Sequence, residues 1–163
     1  MEPWVIIEII IAIFGSSSIA GIVIQNKIQK LRSIEEKLRE ERRKVYAEVL
    51  LPFIEIFANP SNTVRAMERV SSLEFRQASF DLILVGSDEV VKAYGNLMQY
   101  IYKHPNDNNN NKEDKSSSTS EIMSLWATLL LEIRKSLGNK STNLKEEDML
   151  RHLIKDIERI DFK

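Results

Sequence analysis

The side chains that could do chemistry are few. Two histidines, His104 and His152, stand among 163 residues, and there is no cysteine. Neither histidine has a carboxylate or a nucleophile at a telling spacing. The motifs HExxH, CxxC and GxSxG and the phosphate-binding glycine loops do not occur in the sequence. Without cysteine there is no thiolate nucleophile, no disulfide and no Cys-based zinc or iron–sulfur site. Three acidic positions remain. Ser87-Asp88-Glu89 resembles a paired-carboxylate site, but Ser or Asp at a helix N-cap with acids in the first turn is ordinary capping. Glu55 lies in the apolar run VLLPFIEIF. An unpaired buried carboxylate is costly, so it should meet a guanidinium, with Arg65, Arg69 and Arg76 as candidates. Glu8 is the only charge within Trp4–Ile24, WVIIEIIIAIFGSSSIAGIVI. No cofactor or metal is expected, and the chain reads as non-enzymatic.

Trp4–Ile24 is the element that everything else must accommodate. At about 1.5 Å per helical residue it reaches about 31 Å, the depth of a hydrocarbon core. A cleaved signal would want a basic front end and a shorter apolar run. Here Met1-Glu2-Pro3 carries no Lys or Arg, and Ser16-Ser17-Ser18 sits inside the run. The expectation is a retained transmembrane helix. Lys27, Lys30 and Arg32 open a basic cluster that continues to Lys44. The positive-inside bias then places the amino terminus outside and the remainder in the cytoplasm at an inner or plasma membrane. Lys27, Lys30 and Arg32 should lie against anionic lipid. Within the span, Glu8, Ile11, Gly15, Ser18, Ile22 and Gln25 share one stripe, and Ser17 with Gly21 forms a small-xxx-small pair. Two arrangements fit that stripe. In one, small residues pack two helices while Glu8 snorkels to the outer surface. In the other, Glu8, Gly15 and Ser18 face the water-filled centre of a ring.

The rest of the chain reads as helix. Five glycines and four prolines are few for this length. The expected fold is all-α: a transmembrane helix at 4–24, a basic juxtamembrane stalk at 25–44, and a cytosolic antiparallel helical bundle at 45–163 with a disordered loop at 104–119. Ile28, Leu31, Leu38, Val45 and Val49 keep a 3–4 rhythm, so one helix should run from the span to Pro52 and its stalk could form a coiled coil between copies. Pro52 should kink or break it, and Asn59-Pro60 should end it. The next helix, roughly 62–85 and capped by Ser61, should bury Val64, Met67, Phe75, Ala78, Leu82 and Val85. Its end, FDLILVGS, reads as helix rather than as a strand feeding a phosphate turn, since no second strand or glycine motif accompanies it. A helix from Ser87 to about Lys103 should bury Val90, Val91, Tyr94, Leu97, Met98 and Ile101. HPNDNNNNKEDKSSSTS has no apolar anchor. Ser120 should cap a helix with the stripe Ile122, Leu125, Trp126, Leu129, Ile133 and Leu137, stopped by Gly138-Asn139. A last helix should open with Asn143 and Glu146 at capping-box spacing and bury Leu150, Leu153, Ile154, Ile157 and Ile160.

The stretches EERRKVYAEVLLPFIEIF, FRQASFDLILVGSDEVVKAYGNLMQYIYK and LLLEIRKSLGNKSTNLKEEDMLRHLIKDI resemble a loose group of small, uncharacterised prokaryotic membrane-anchored helical proteins. The resemblance implies an anchor plus a helical bundle. In architecture the chain is also similar to membrane effectors of antiviral defence such as the membrane accessory protein of type VI-B CRISPR systems, whose helical domain is related to HEPN ribonucleases. The HEPN hallmark is Arg, four to six residues, then His. Neither His104 nor His152 has an Arg at that distance, so nuclease activity is not carried over. A net charge of −1 argues against general nucleic-acid binding. The partners expected are membrane lipid, further copies of this chain and a cytosolic protein. The leading function is an oligomeric membrane-anchored module that perturbs the membrane in defence. The alternatives are a membrane-tethered scaffold and a degenerate HEPN-like nuclease.

Overall fold

Apolar spacing at 3–4 residues and scarce glycine dictate helices, and among the described residues every regular element is helical. The computed structural model describes the backbone of residues 3–104, 112–154 and 157, and side chains from 22 onward except 60, 105–118, 155–156 and 158–163. The elements are α1 (Pro3–Ala58), a 3-10 turn (Pro60–Asn62), α2 (Thr63–Val70), α3 (Leu73–Val85), α4 (Asp88–Lys103), α5 (Lys112–Ser136) and α6 (Glu146–Leu150). The chain divides into two compact units, 1–40 and 41–163.

The first unit is the amino-terminal part of α1. Residues 4–21 of the expected span, with Glu8, Gly15, Ser18 and Gly21, lie outside the residues whose side chains are described. Among the described residues no helix is long and apolar enough to cross a membrane. From Ile22 to Glu40 every side chain is exposed, Lys27, Lys30 and Arg32 included. The apolar stripe is exposed with them: Ile28, Leu31 and Leu38 have no cover.

The second unit is a helical bundle whose core follows from one face of each helix. Tyr46, Val49 and Phe53 of α1, Phe75, Ala78 and Leu82 of α3, Val90, Ala93, Tyr94, Leu97 and Met98 of α4, and Trp126, Leu129 and Ile133 of α5 form one apolar cluster. Phe53 meets Trp126 edge to face with ring centroids 4.2 Å apart, and Phe75 lies 6.5 Å from Phe53. Aromatic pairs of this geometry add about 0.5–1.5 kcal/mol beyond their buried area. They bear on Pro52, expected to kink or break α1: the helix does not break there. Pro52 lies inside α1, which continues to Ala58. The ring removes one backbone donor, but Phe53 and Phe57 both pack on Trp126 and hold the last turns in place.

The expected helix over 62–85 is two helices. Ser72 interrupts it in an extended conformation, and its hydroxyl accepts from the Phe75 N–H at 3.2 Å, starting α3 afresh. Serine side chains compete for backbone partners in this way. The break uncouples the phase of α2 from that of α3. Ala66 is therefore the buried residue of α2, while Val64 and Met67 are exposed. Ser61 is not the cap: Asn62 precedes α2 without a side-chain cap bond, and the Ser61 N–H donates to Asn59 Oδ1. The end of α3 agrees with expectation. FDLIL is helix, Gly86 terminates it, and Ser87 caps α4. A Cβ at Gly86 would collide with the Leu82 carbonyl oxygen.

Further along, α5 opens at Lys112, ahead of Ser120. Propagating a helix backward from the packed stripe costs far less than nucleating one, so the polar residues join it. Residues 105–111 of the expected loop lie outside the described residues. Gly138 ends α5 with a φ of 111°, and the Asn139 N–H donates to the Arg134 carbonyl, which closes the helix in the manner read from Gly138-Asn139. The last helix is much shorter than its apolar spacing suggested. The carboxylate of Asp148, rather than Glu146, accepts from the backbone N–H at its start, that of Lys145, and α6 ends at Leu150. Leu150 is buried, Leu153 is exposed, and Ile160 lies outside the described residues. Two serines thus have opposite weights. Ser72→Ala should lose about 1 kcal/mol in urea unfolding, the usual cost of a lost N-cap, while Ser61→Ala should lose almost nothing.

Candidate functional site

The polar groups of the bundle are mostly spent on its own backbone. Ser87 accepts from the Val90 N–H, so the Ser87-Asp88-Glu89 triplet is a cap, as its sequence suggested. His104 sits at the end of α4, its ring stacked on Tyr100 with centroids 4.3 Å apart and Nδ1 2.9 Å from the Tyr100 carbonyl oxygen. His152 is exposed in a turn after α6. Glu55 finds its arginine: Arg69 Nη2 and Nε reach its two oxygens at 2.9 and 3.3 Å. This two-pronged pair ties α2 to α1. Among the described residues no group of carboxylates and histidines is arranged to hold a metal ion.

What remains is a groove of about 660 Å³ between the carboxyl-terminal part of α1, α2 and α3. Glu48, Glu68, Glu74 and Asp81 line it, against Arg65 and Arg69. Since Glu55 already engages Arg69, the field of the groove is negative. Glu74 stays ionised readily, because a hydrogen bond from its own backbone N–H and one from Ser72 hold its carboxyl below the usual range. The Ser72 hydroxyl on these walls is engaged by the Phe75 N–H and by Glu74, as a helix cap. The chemistry they offer is recognition of a positively charged surface.

Beside the groove lies a second surface that the sequence reading did not separate from the core. α3 is apolar on both sides. Phe75, Ala78 and Leu82 face inward, while Leu73, Phe80, Ile83 and Leu84 are 76, 68, 58 and 79 % exposed. The signal was legible in the spacing: Leu73, Phe80 and Leu84, with Gln77 between, repeat at four, three and four residues, opposite the inward set. The exposed apolar residues of α3 and those of the 22–40 segment are the largest features left unexplained by packing.

Comparison with protein-family models, with curated proteins and with solved structures returned no match.

One buried polar contact gives a pH test of the bundle. Tyr94 and Ser79 share a hydrogen bond of 2.7 Å, and burial raises the Tyr94 hydroxyl above its ordinary value. The fold therefore favours the neutral phenol. Its contribution is intact below about pH 10, the unfolded value, and is lost as pH rises through the higher folded value. Tyr94→Phe should cost about 1 kcal/mol at neutral pH and flatten the alkaline fall in thermal stability that the parent chain shows.

Proposed function

We propose that this chain is a non-enzymatic, self-assembling module anchored in a membrane by Trp4–Ile24, with its helical bundle on the cytoplasmic side. The observation that carries the reading is a run deep enough to span lipid, with Glu8 as its only charge, followed directly by a basic helix. Lys27, Lys30 and Arg32 stand exposed on that helix, where anionic headgroups would attract them. The apolar stripe Ile28, Leu31 and Leu38 on the same helix supports contact between copies. In the membrane-perturbing form of the proposal, Glu8, Gly15 and Ser18 line an opening formed by several spans, Gly21 allows their close approach, and the bundle governs assembly. Architectural similarity to defence effectors supports that form.

A second reading, a membrane-tethered scaffold, is favoured by the acidic groove, which suits a basic cytosolic protein. A degenerate HEPN-like nuclease has no histidine in a catalytic setting to support it, since His104 is stacked on Tyr100 and His152 lies in an exposed turn.

Fractionation of cells expressing the full chain tests the anchor: it should stay with carbonate-washed membranes, and recovery in the soluble fraction would overturn the proposal. Induced expression then separates the two forms. Dye entry and growth arrest, both abolished by Glu8→Ala or Gly15→Leu, are expected for an opening. An intact barrier together with a co-purifying protein would favour the scaffold.

A further inference from the structure

We infer that α3 is a two-fold assembly contact: its outer face pairs in parallel with the same face of a second copy of this chain. The inference rests on the proposed self-assembly and adds a pairwise contact to it. It does not depend on the membrane.

The outer face of α3 has the pattern of a short zipper. Leu73, Gln77, Phe80 and Leu84 occupy successive seam positions, d, a, d and a of a heptad. Arg76 and Ile83 then fall on one flank, the g positions, and Glu74 and Asp81 on the other, the e positions. The three apolar seam residues are more than two-thirds exposed, and Gln77 and Arg76 are exposed beside them. The inner face is fixed in the core by Phe75, Ala78 and Leu82, so the seam is presented on a helix that is already ordered. Pairing such a helix costs little further ordering.

The charges and the one polar seam residue decide the orientation. In a parallel pair each seam residue meets its own counterpart. Gln77 then meets Gln77, two amides that can satisfy each other, and a polar a position is what fixes register and number of strands in such seams. A g residue in a parallel pair faces the e residue five places further on in the other helix. Arg76 therefore faces Asp81 of the second copy, and symmetry makes the pair twice. An antiparallel pair would set Gln77 against Phe80 and bring the acidic flanks, Glu74 and Asp81, of both copies together. The sequence thus complements itself in one direction only. A two-fold contact of this kind also closes on itself, leaving no exposed seam to recruit a third chain.

The chain has no cysteine, so single substitutions report contacts cleanly. The test uses the full chain, purified in detergent. Gln77→Cys and Leu84→Cys should each form a disulfide-linked dimer under mild oxidation. A mixture of Leu73→Cys and Leu84→Cys chains carrying different tags should give no mixed dimer. Asp81→Arg should lower the Leu84→Cys yield about fivefold, and adding Arg76→Asp should restore it. Leu84→Asp should shift the sedimenting species to a smaller one with helicity unchanged, as the residue lies outside the core of the single chain. Mixed 73–84 dimers would overturn the parallel register. Sedimentation as an oligomer with no disulfide at 77 or 84 would overturn the α3 contact while leaving self-assembly standing. Loss of vesicle binding by Leu84→Asp without any change in oligomer size would assign the face to lipid and overturn the inference. A monomeric parent chain would sink both the contact and the self-assembly it rests on.

Discussion

The hydroxyl of Tyr46 joins three segments that lie far apart in the chain. It accepts from the Ser87 N–H at 3.3 Å and shares a hydrogen bond with Ser136 Oγ at 2.8 Å. Its ring is 1 % exposed at the centre of the apolar cluster. One turn earlier, Arg42 Nε donates to the carbonyl of Val85, the last residue of α3, at 2.6 Å. The α3–α4 junction thus has its final carbonyl and its first amide both satisfied from α1. A helix end buried without partners would be costly. The sharp turn at Gly86 is tolerable because α1 completes it.

The same use of polar atoms recurs through the bundle. Hydroxyls and carboxylates cap helices, brace junctions or pair across α1 and α2, and among the described residues no buried polar side-chain atom lacks a partner. Function is then pushed to the surface. Two kinds of surface result: an acidic wall formed by Glu48, Glu68, Glu74 and Asp81, and an apolar ridge formed by Leu73, Phe80 and Leu84. They meet along α3, whose acidic flank belongs to both.

Much of the bundle was legible because its signals are local. Gly86-Ser87 and Gly138-Asn139 carry their stop and start chemistry in two residues, and the faces of α4 and α5 keep one phase over several turns. The pairing of Glu55 followed from the cost of a bare buried charge, although choosing Arg69 over Arg65 and Arg76 needed the fold. The failures are nonlocal. Pro52 is tolerated because Trp126, far along the chain, holds the next turn through Phe53 and Phe57. Ser71-Ser72 split one apparent helix, which exposed Val64 and Met67. Leu153 continued a clean period past Leu150, where α6 ends, and is exposed. The outer face of α3 was overlooked for a related reason. Two apolar stripes on one helix read as a single, more hydrophobic helix until the core claims one of them.

Pro52 has a mechanical meaning. Its missing N–H leaves the Glu48 carbonyl without the donor that the helix would otherwise supply, in the middle of the stretch that α1 buries in the bundle. That gap lies where Tyr46, Val49 and Phe53 clamp α1 into the core, so side-chain packing rather than the hydrogen-bond ladder carries the helix across it.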